Sequence, residues 1–149
     1  MKTLTTFILM FSLSFAVTSA FAMGGDDDGP SIKQYETLIE QEKYQEAIDG
    51  LNEALAEDAD SADLLNLVAY SHRQLKRYDI ALNYYLKALE IDPDHRGANE
   101  YLGELYLHLG QLDKALERRK VIDADCLFSC KELKALDAAI EAYREQNPS

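Results

Sequence analysis

The chain has 149 residues, with 27 acidic against 15 basic side chains, a formal charge of -12 and 47% hydrophobic content. Its length suits a single domain. Its charge argues against a surface built to hold nucleic acid or anionic lipid, and electrostatics favour a basic or neutral partner.

Lys2 precedes an apolar run, Leu4 to Val17, interrupted only by Ser and Thr, and Ala20-Phe21-Ala22 follows. This is the layout of a secretory signal peptide over residues 1–22. The run is shorter than the about 20 apolar residues a membrane span needs. An uncleaved anchor is the alternative reading. Cleavage removes only Lys2 among the charged residues, leaving 14 basic against 27 acidic, or -13. Residues 23–30 hold Gly24-Gly25-Asp26-Asp27-Asp28-Gly29-Pro30, a flexible acidic linker with nothing to bury. The three Asp lack the alternating ligands and distal Glu of a calcium loop.

From Ser31 the pattern is helical. A first helix spans about 31–41. Tyr44, Ala47, Ile48, Leu51, Ala54 and Leu55 then form one amphipathic stripe. Asp58 to Ser61 is a polar break in which Ser61 can cap the next helix, about 62–75. Tyr78, Ala81, Leu82, Tyr85, Ala88 and Leu89 repeat the stripe, and Asp92-Pro93-Asp94 ends it. A helix over 96–109 follows, with Gly110 as its stop. Leu112, Ala115, Leu116 and Ile122 start the stripe a third time. The last helix runs from Lys131 to Gln146 with Leu133, Leu136, Ile140 and Tyr143 on one side, and Ser129 with Glu132 can form a capping box.

Ala47, Ala81 and Ala115 lie 34 residues apart in one frame. A fixed period of this kind marks a repeat array. The units are 31–60, 61–94 and 95–125, and residues 126–149 form a cysteine-containing turn and a capping helix.

Asn99-x-x-Leu102-Gly103-x-x-Tyr106 followed by Ala115 resembles the tetratricopeptide repeat. So does Leu65-x-x-Val68-Ala69-x-x-His72 followed by Ala81, Tyr85, Ala88 and Pro93. The first unit departs from the pattern at Gln34, Tyr35 and Ala59. The third departs at Arg119 and Ile122, which implies that its second helix packs differently, against the C-terminal segment. The resemblance implies an all-α fold, a right-handed α-solenoid of about three helix-turn-helix repeats plus a C-terminal capping helix. It also implies a concave groove built from the first helix of each pair.

Register places Asp63, Asn66, Tyr70, Arg73 and Gln74 on the groove stripe of the second repeat. Shifted by 34, the stripe is Gly97, Glu100, Glu104, Leu107 and His108 in the third, and Gly29, Ile32, Glu36, Ile39 and Glu40 in the first. Tyr70, Ile39 and Leu107 are its expected apolar anchors and Arg73 its one cation. Some family members hold a carboxylate terminus with Lys, Arg and Asn. Glu100 and Glu104 stand where those cations would be wanted, so the expected partner is a protein or peptide with basic and apolar residues.

Cys126 and Cys130 are the only cysteines. In an oxidising compartment a disulfide fixing the turn is favoured over free thiols. The three His are scattered, so no metal site is expected. No phosphate loop, Gly-x-Ser-x-Gly or His-Glu-x-x-His is present, and no enzyme or cofactor is implied. The sequence thus reads as a non-catalytic interaction module of the Gram-negative bacterial periplasm, with no membrane insertion of the mature chain. A redox or disulfide-handling accessory protein using Cys126 and Cys130 is the alternative.

Overall fold

The structure is a computed structural model and describes residues 32–148 apart from Ser129. The segments expected to be a signal peptide and an acidic linker lie outside the described residues. Seven helices follow one another: α1 (Ile32–Glu40), α2 (Tyr44–Glu57), α3 (Ala62–Gln74), α4 (Tyr78–Ile91), α5 (Arg96–His108), α6 (Leu112–Asp125) and α7 (Lys131–Gln146). They form three antiparallel pairs and a closing helix, the solenoid the repeat implied. No described helix is long and apolar enough to cross a membrane.

The turn inside each pair is built identically. The amides of Lys43, Arg77 and Gln111 reach back five residues to the carbonyls of Leu38, His72 and Tyr106, at 2.9, 2.9 and 2.8 Å. This closure needs a left-handed residue just past the helix. Glu42, Lys76 and Gly110 supply it, with φ of 58°, 59° and 72°. Only the third turn has the glycine for which that backbone is cheap, so only that turn was visible in the sequence.

The turns between pairs use side chains. The Ser61 hydroxyl accepts from the Leu64 amide at 3.4 Å, as expected. One repeat later His95 takes the same role, its Nδ1 accepting from the Ala98 amide at 3.0 Å. That fixes the ring proton on Nε2, which donates to Asp63 at 3.0 Å. Asn99, fully buried, donates to the carbonyls of Pro93 and His95 and accepts from Arg118. A buried amide so satisfied stitches the Pro93 turn to α5. The N-cap of α7 is Cys130, whose side chain makes no capping hydrogen bond, and Ser129, expected to form a capping box with Glu132, lies outside the described residues.

The inner helices α1, α3, α5 and α7 touch in succession, whereas α2, α4 and α6 do not touch one another. The array therefore curves toward its inner helices. The core is shared between pairs: Leu51 and Val68 in one cluster, Tyr85, Leu102, Leu105, Ile122 and Leu136 in the next. Tyr35, large where Ala69 and Gly103 are small, is accommodated by Gly50 across the pair. A Cβ at Gly50 would lie 2.8 Å from the ring. Later repeats reverse the sizes, with Tyr84 and Arg118 at the position of Gly50.

The closest approach between inner helices is at α7. A Cβ on Gly103 would stand 2.7 Å from both δ-carbons of Leu136, which is fully buried. Gly103 makes room for α7, not for its own partner α6. Arg119 turns to the same helix, with Nε 2.6 Å from Asp137 Oδ1 and Nη1 3.0 Å from Asp123. The predicted change in packing at Arg119 is thus present, and its agent is Asp137.

Gly103→Ala should destabilise the fold. The overpacking cost of about 1–3 kcal/mol outweighs a helix-propensity gain of about 1 kcal/mol, since the Leu136 methyls have no free space. Leu136→Ala should cost about 2–5 kcal/mol. The double variant should lose less than the sum. Urea unfolding of the four proteins tests this, and strict additivity would mean the two positions do not meet.

Candidate functional site

The middle of the inner face is organised around Arg73 on α3. Its side chain is only 10% exposed. The guanidinium carbon lies 5.3 Å from the Tyr70 ring centroid and 5.5 Å from that of Tyr101. The two rings meet at 4.8 Å in a tilted arrangement. Nη1 forms an ion pair of 2.7 Å with Glu104 on α5. The Tyr85 hydroxyl is a neighbour from α4, although no well-formed hydrogen bond joins it to the buried Arg73 Nε. Burial pulls the Arg73 pKa down, but Tyr85, Glu104 and Tyr70 turn it upward, and the guanidinium stays charged. Burial pushes the Tyr85 phenol up, and that of Tyr101 to about 12, so both remain neutral donors.

Glu100 lies one turn before Glu104 on α5. Burial, together with Glu104 on its own helix and Glu132 on α7, raises its pKa from 4.5 to about 7, against the opposing pull of Lys131 and Arg73. α7 therefore helps to set the charge of the groove, because its first turn brings Glu132 and Lys131 toward α5.

Two clefts open on this face. One, of about 270 Å³, is lined by Glu36, Ile39, Glu40, Leu67, Tyr70 and Tyr101. It brings together the groove positions of the first two repeats. The other, of about 490 Å³, lies between α5 and α7 and includes Glu104, Leu107, His108, Ala139 and Tyr143.

Several expected roles change. Leu107 is 8% exposed, so it forms part of the packed wall of the second cleft more than a free anchor. Asn66 is likewise buried. Arg73 is not a free cation, because Glu104 already neutralises it, and Glu104 is correspondingly not free to steer a partner. Asp63 is exposed but held by His95. His108 stacks on Tyr78, with centroids 5.8 Å apart and planes 12° apart. Tyr101 was missed. It lies one residue outside the stripe that register assigns, and only the approach of α3 to α5 turns it beneath Tyr70.

Cys126 closes α6 and Cys130 opens α7, with Cα atoms 6.0 Å apart and sulfurs at bonding distance. Among the described residues no cluster of His, Cys, Asp and Glu could hold a metal ion.

Models of the tetratricopeptide-repeat family match residues 62–95 and 84–117. No curated protein matches the chain in sequence. Among solved structures, the fold is similar to a tetratricopeptide-repeat protein of Parabacteroides merdae, with TM-score 0.64 and 24% identity over 77% of this chain. Only 44% of that longer protein is covered. It is also similar to the Yersinia enterocolitica type III secretion chaperone SycD in complex with a peptide of the translocator YopD. There the TM-score is 0.63 and identity 16%, over 77% of this chain and 87% of that one. A third is the second tetratricopeptide domain of Spaghetti (RPAP3) bound to the HSP90 peptide SRMEEVD, with TM-score 0.58 and 21% identity over 62% of this chain and 85% of that one.

The raised pKa of Glu100 has a direct stability consequence. The folded state keeps a proton that the unfolded state releases near pH 4.5. The Glu100 contribution is therefore present below about pH 4.5 and is lost as pH rises through about 7. Glu100→Gln should remove that slope. The stability difference between variant and wild type should grow in favour of Gln between these limits and then level off. Parallel denaturation curves at all pH values would show that Glu100 titrates normally.

Proposed function

We propose that this chain, a tetratricopeptide-repeat protein by its family matches and its fold, is a non-catalytic adaptor. It holds an extended or helical segment of a partner protein along its inner face. The observation that carries this is the Tyr70–Tyr101 cleft. It offers two aromatic rings and two aliphatic side chains on an inner face otherwise dominated by carboxylates, and Glu36 and Glu40 are exposed at its rim. Its single cation is already paired. Such a site selects basic side chains placed between apolar ones, and it repels a carboxylate terminus. That SycD and Spaghetti are solved with peptides supports a peptide as ligand class, and the acidic rim of this cleft supports a preference for basic residues.

The N-terminal signal pattern supports an exported protein, and a periplasmic home is our reading of it. The cysteine pair at bonding distance agrees with an oxidising compartment. A bridge there would tie the end of α6 to the start of α7 and hold the angle of the closing helix.

Two measurements test these readings. A peptide alternating Lys or Arg with Leu or Phe should bind more tightly than its Glu-substituted counterpart, and rising salt should weaken it. Tyr70→Ala should weaken it by about 30-fold, as loss of a hot-spot residue worth about 2 kcal/mol does. Glu36→Lys with Glu40→Lys should mainly slow association. Equal affinity for both peptides would contradict the assignment. Separately, protein taken without reductant from its native compartment should resist alkylation at Cys126 and Cys130. Two alkylated thiols would show that the bridge does not form.

A further inference from the structure

The most exposed large apolar side chains described are Leu127 and Phe128, at 92% and 90%. Every other exposed large hydrophobic residue among those described is more than half covered, with 38–42% exposed. The two stand between Cys126 and Cys130, so both ends of their loop are tied to helices. A tip of this kind loses little chain entropy on binding, and two adjacent apolar side chains that touch almost nothing invite a partner.

The tip also lies in a stretch with a small basic excess. Residues 114–134 hold six Lys and Arg against four Asp and Glu, whereas residues 32–113 hold seven against seventeen. Lys131, directly after the loop, has a side chain 91% exposed, and Lys120 and Lys134 are exposed too. The order Leu127-Phe128, Lys131, Lys134 joins apolar and basic residues, which is the chemistry the Tyr70–Tyr101 cleft is suited to receive. That cleft, on the inner face, is lined by α1, α3 and α5 and rimmed by Glu36 and Glu40.

We propose that the chain self-associates head to tail, the Leu127–Phe128 tip of one copy entering the Tyr70–Tyr101 cleft of the next. The inference rests on the groove reading above. Tip and cleft are different surfaces of one molecule, so a head-to-tail contact is heterologous and leaves a free tip and a free cleft on every dimer. A bulk anionic lipid surface suits the tip less well, because the whole chain carries -12 and residues 114–149 hold seven basic against seven acidic side chains.

Sedimentation velocity on residues 23–149, which include every described element, provides the test. At low salt, wild type should form concentration-dependent dimers and longer species in roughly the 0.1 mM range, the weak regime of a small interface. Salt at about one molar should dissociate them. Leu127→Ser with Phe128→Ser, and separately Glu36→Lys with Glu40→Lys, should each weaken association at least about tenfold. All four positions are exposed, so folding is spared. Mixing the two variants restores one complete contact and should give dimers with no longer species. A wild type that is monomeric at about 1 mM, a tip variant that associates like wild type, or a mixture that stays monomeric would each overturn the proposal. So would a monomeric chain whose tip variant alone loses binding to phosphatidylglycerol vesicles, which would assign the tip to lipid. Adding the Lys-Leu peptide separates the two levels. Peptide binding without self-association overturns this inference alone, whereas absence of both overturns the groove reading as well.

Discussion

The contact between Gly103 and Leu136 is the constraint on which the rest of the array depends. An end repeat in a solenoid has no following pair to cover it. Here one helix does that work, and it can do so only because α5 presents no side chain where Leu136 arrives. The same approach carries Glu132 and Lys131 toward Glu100. A packing decision at the end of the chain thereby becomes an electrostatic property of the inner face.

The middle of that face is a linked assembly. Tyr70 and Tyr101 flank Arg73, Glu104 neutralises it, and Tyr85 supports it from the outer layer. The arginine holds two aromatic rings in a fixed relation and spends its charge inside the protein. What reaches solvent is the aromatic surface and the unpaired carboxylates. The ion pair removes one cation and one carboxylate together, so the charge the groove presents is that of its remaining carboxylates, with Glu36 and Glu40 exposed.

Much of this was legible in the sequence because the period is strict. Spacing and the breaks at Ser61, Pro93 and Gly110 located the helices, and the last was expected over about Lys131 to Gln146, where α7 runs. Register named Tyr70, Glu36 and Ile39, which do share a cleft. Compensation across positions was not legible. Tyr35 looked like a defect until Gly50 was seen opposite it, and the left-handed turns at Glu42 and Lys76 carry no glycine to announce them. The roles of Arg73 and Glu104 depend on the distance between two helices, which a period does not specify. Tyr101 was hidden for the same reason.

The central claim is that recognition occurs on the inner face. Amide NMR of the isotopically labelled protein, titrated with a Lys-Leu peptide, tests it directly. The account predicts shifts concentrated at Ile39, Tyr70, Glu100 and Tyr101, with the outer helices α2, α4 and α6 silent. Shifts confined to those outer helices would contradict it.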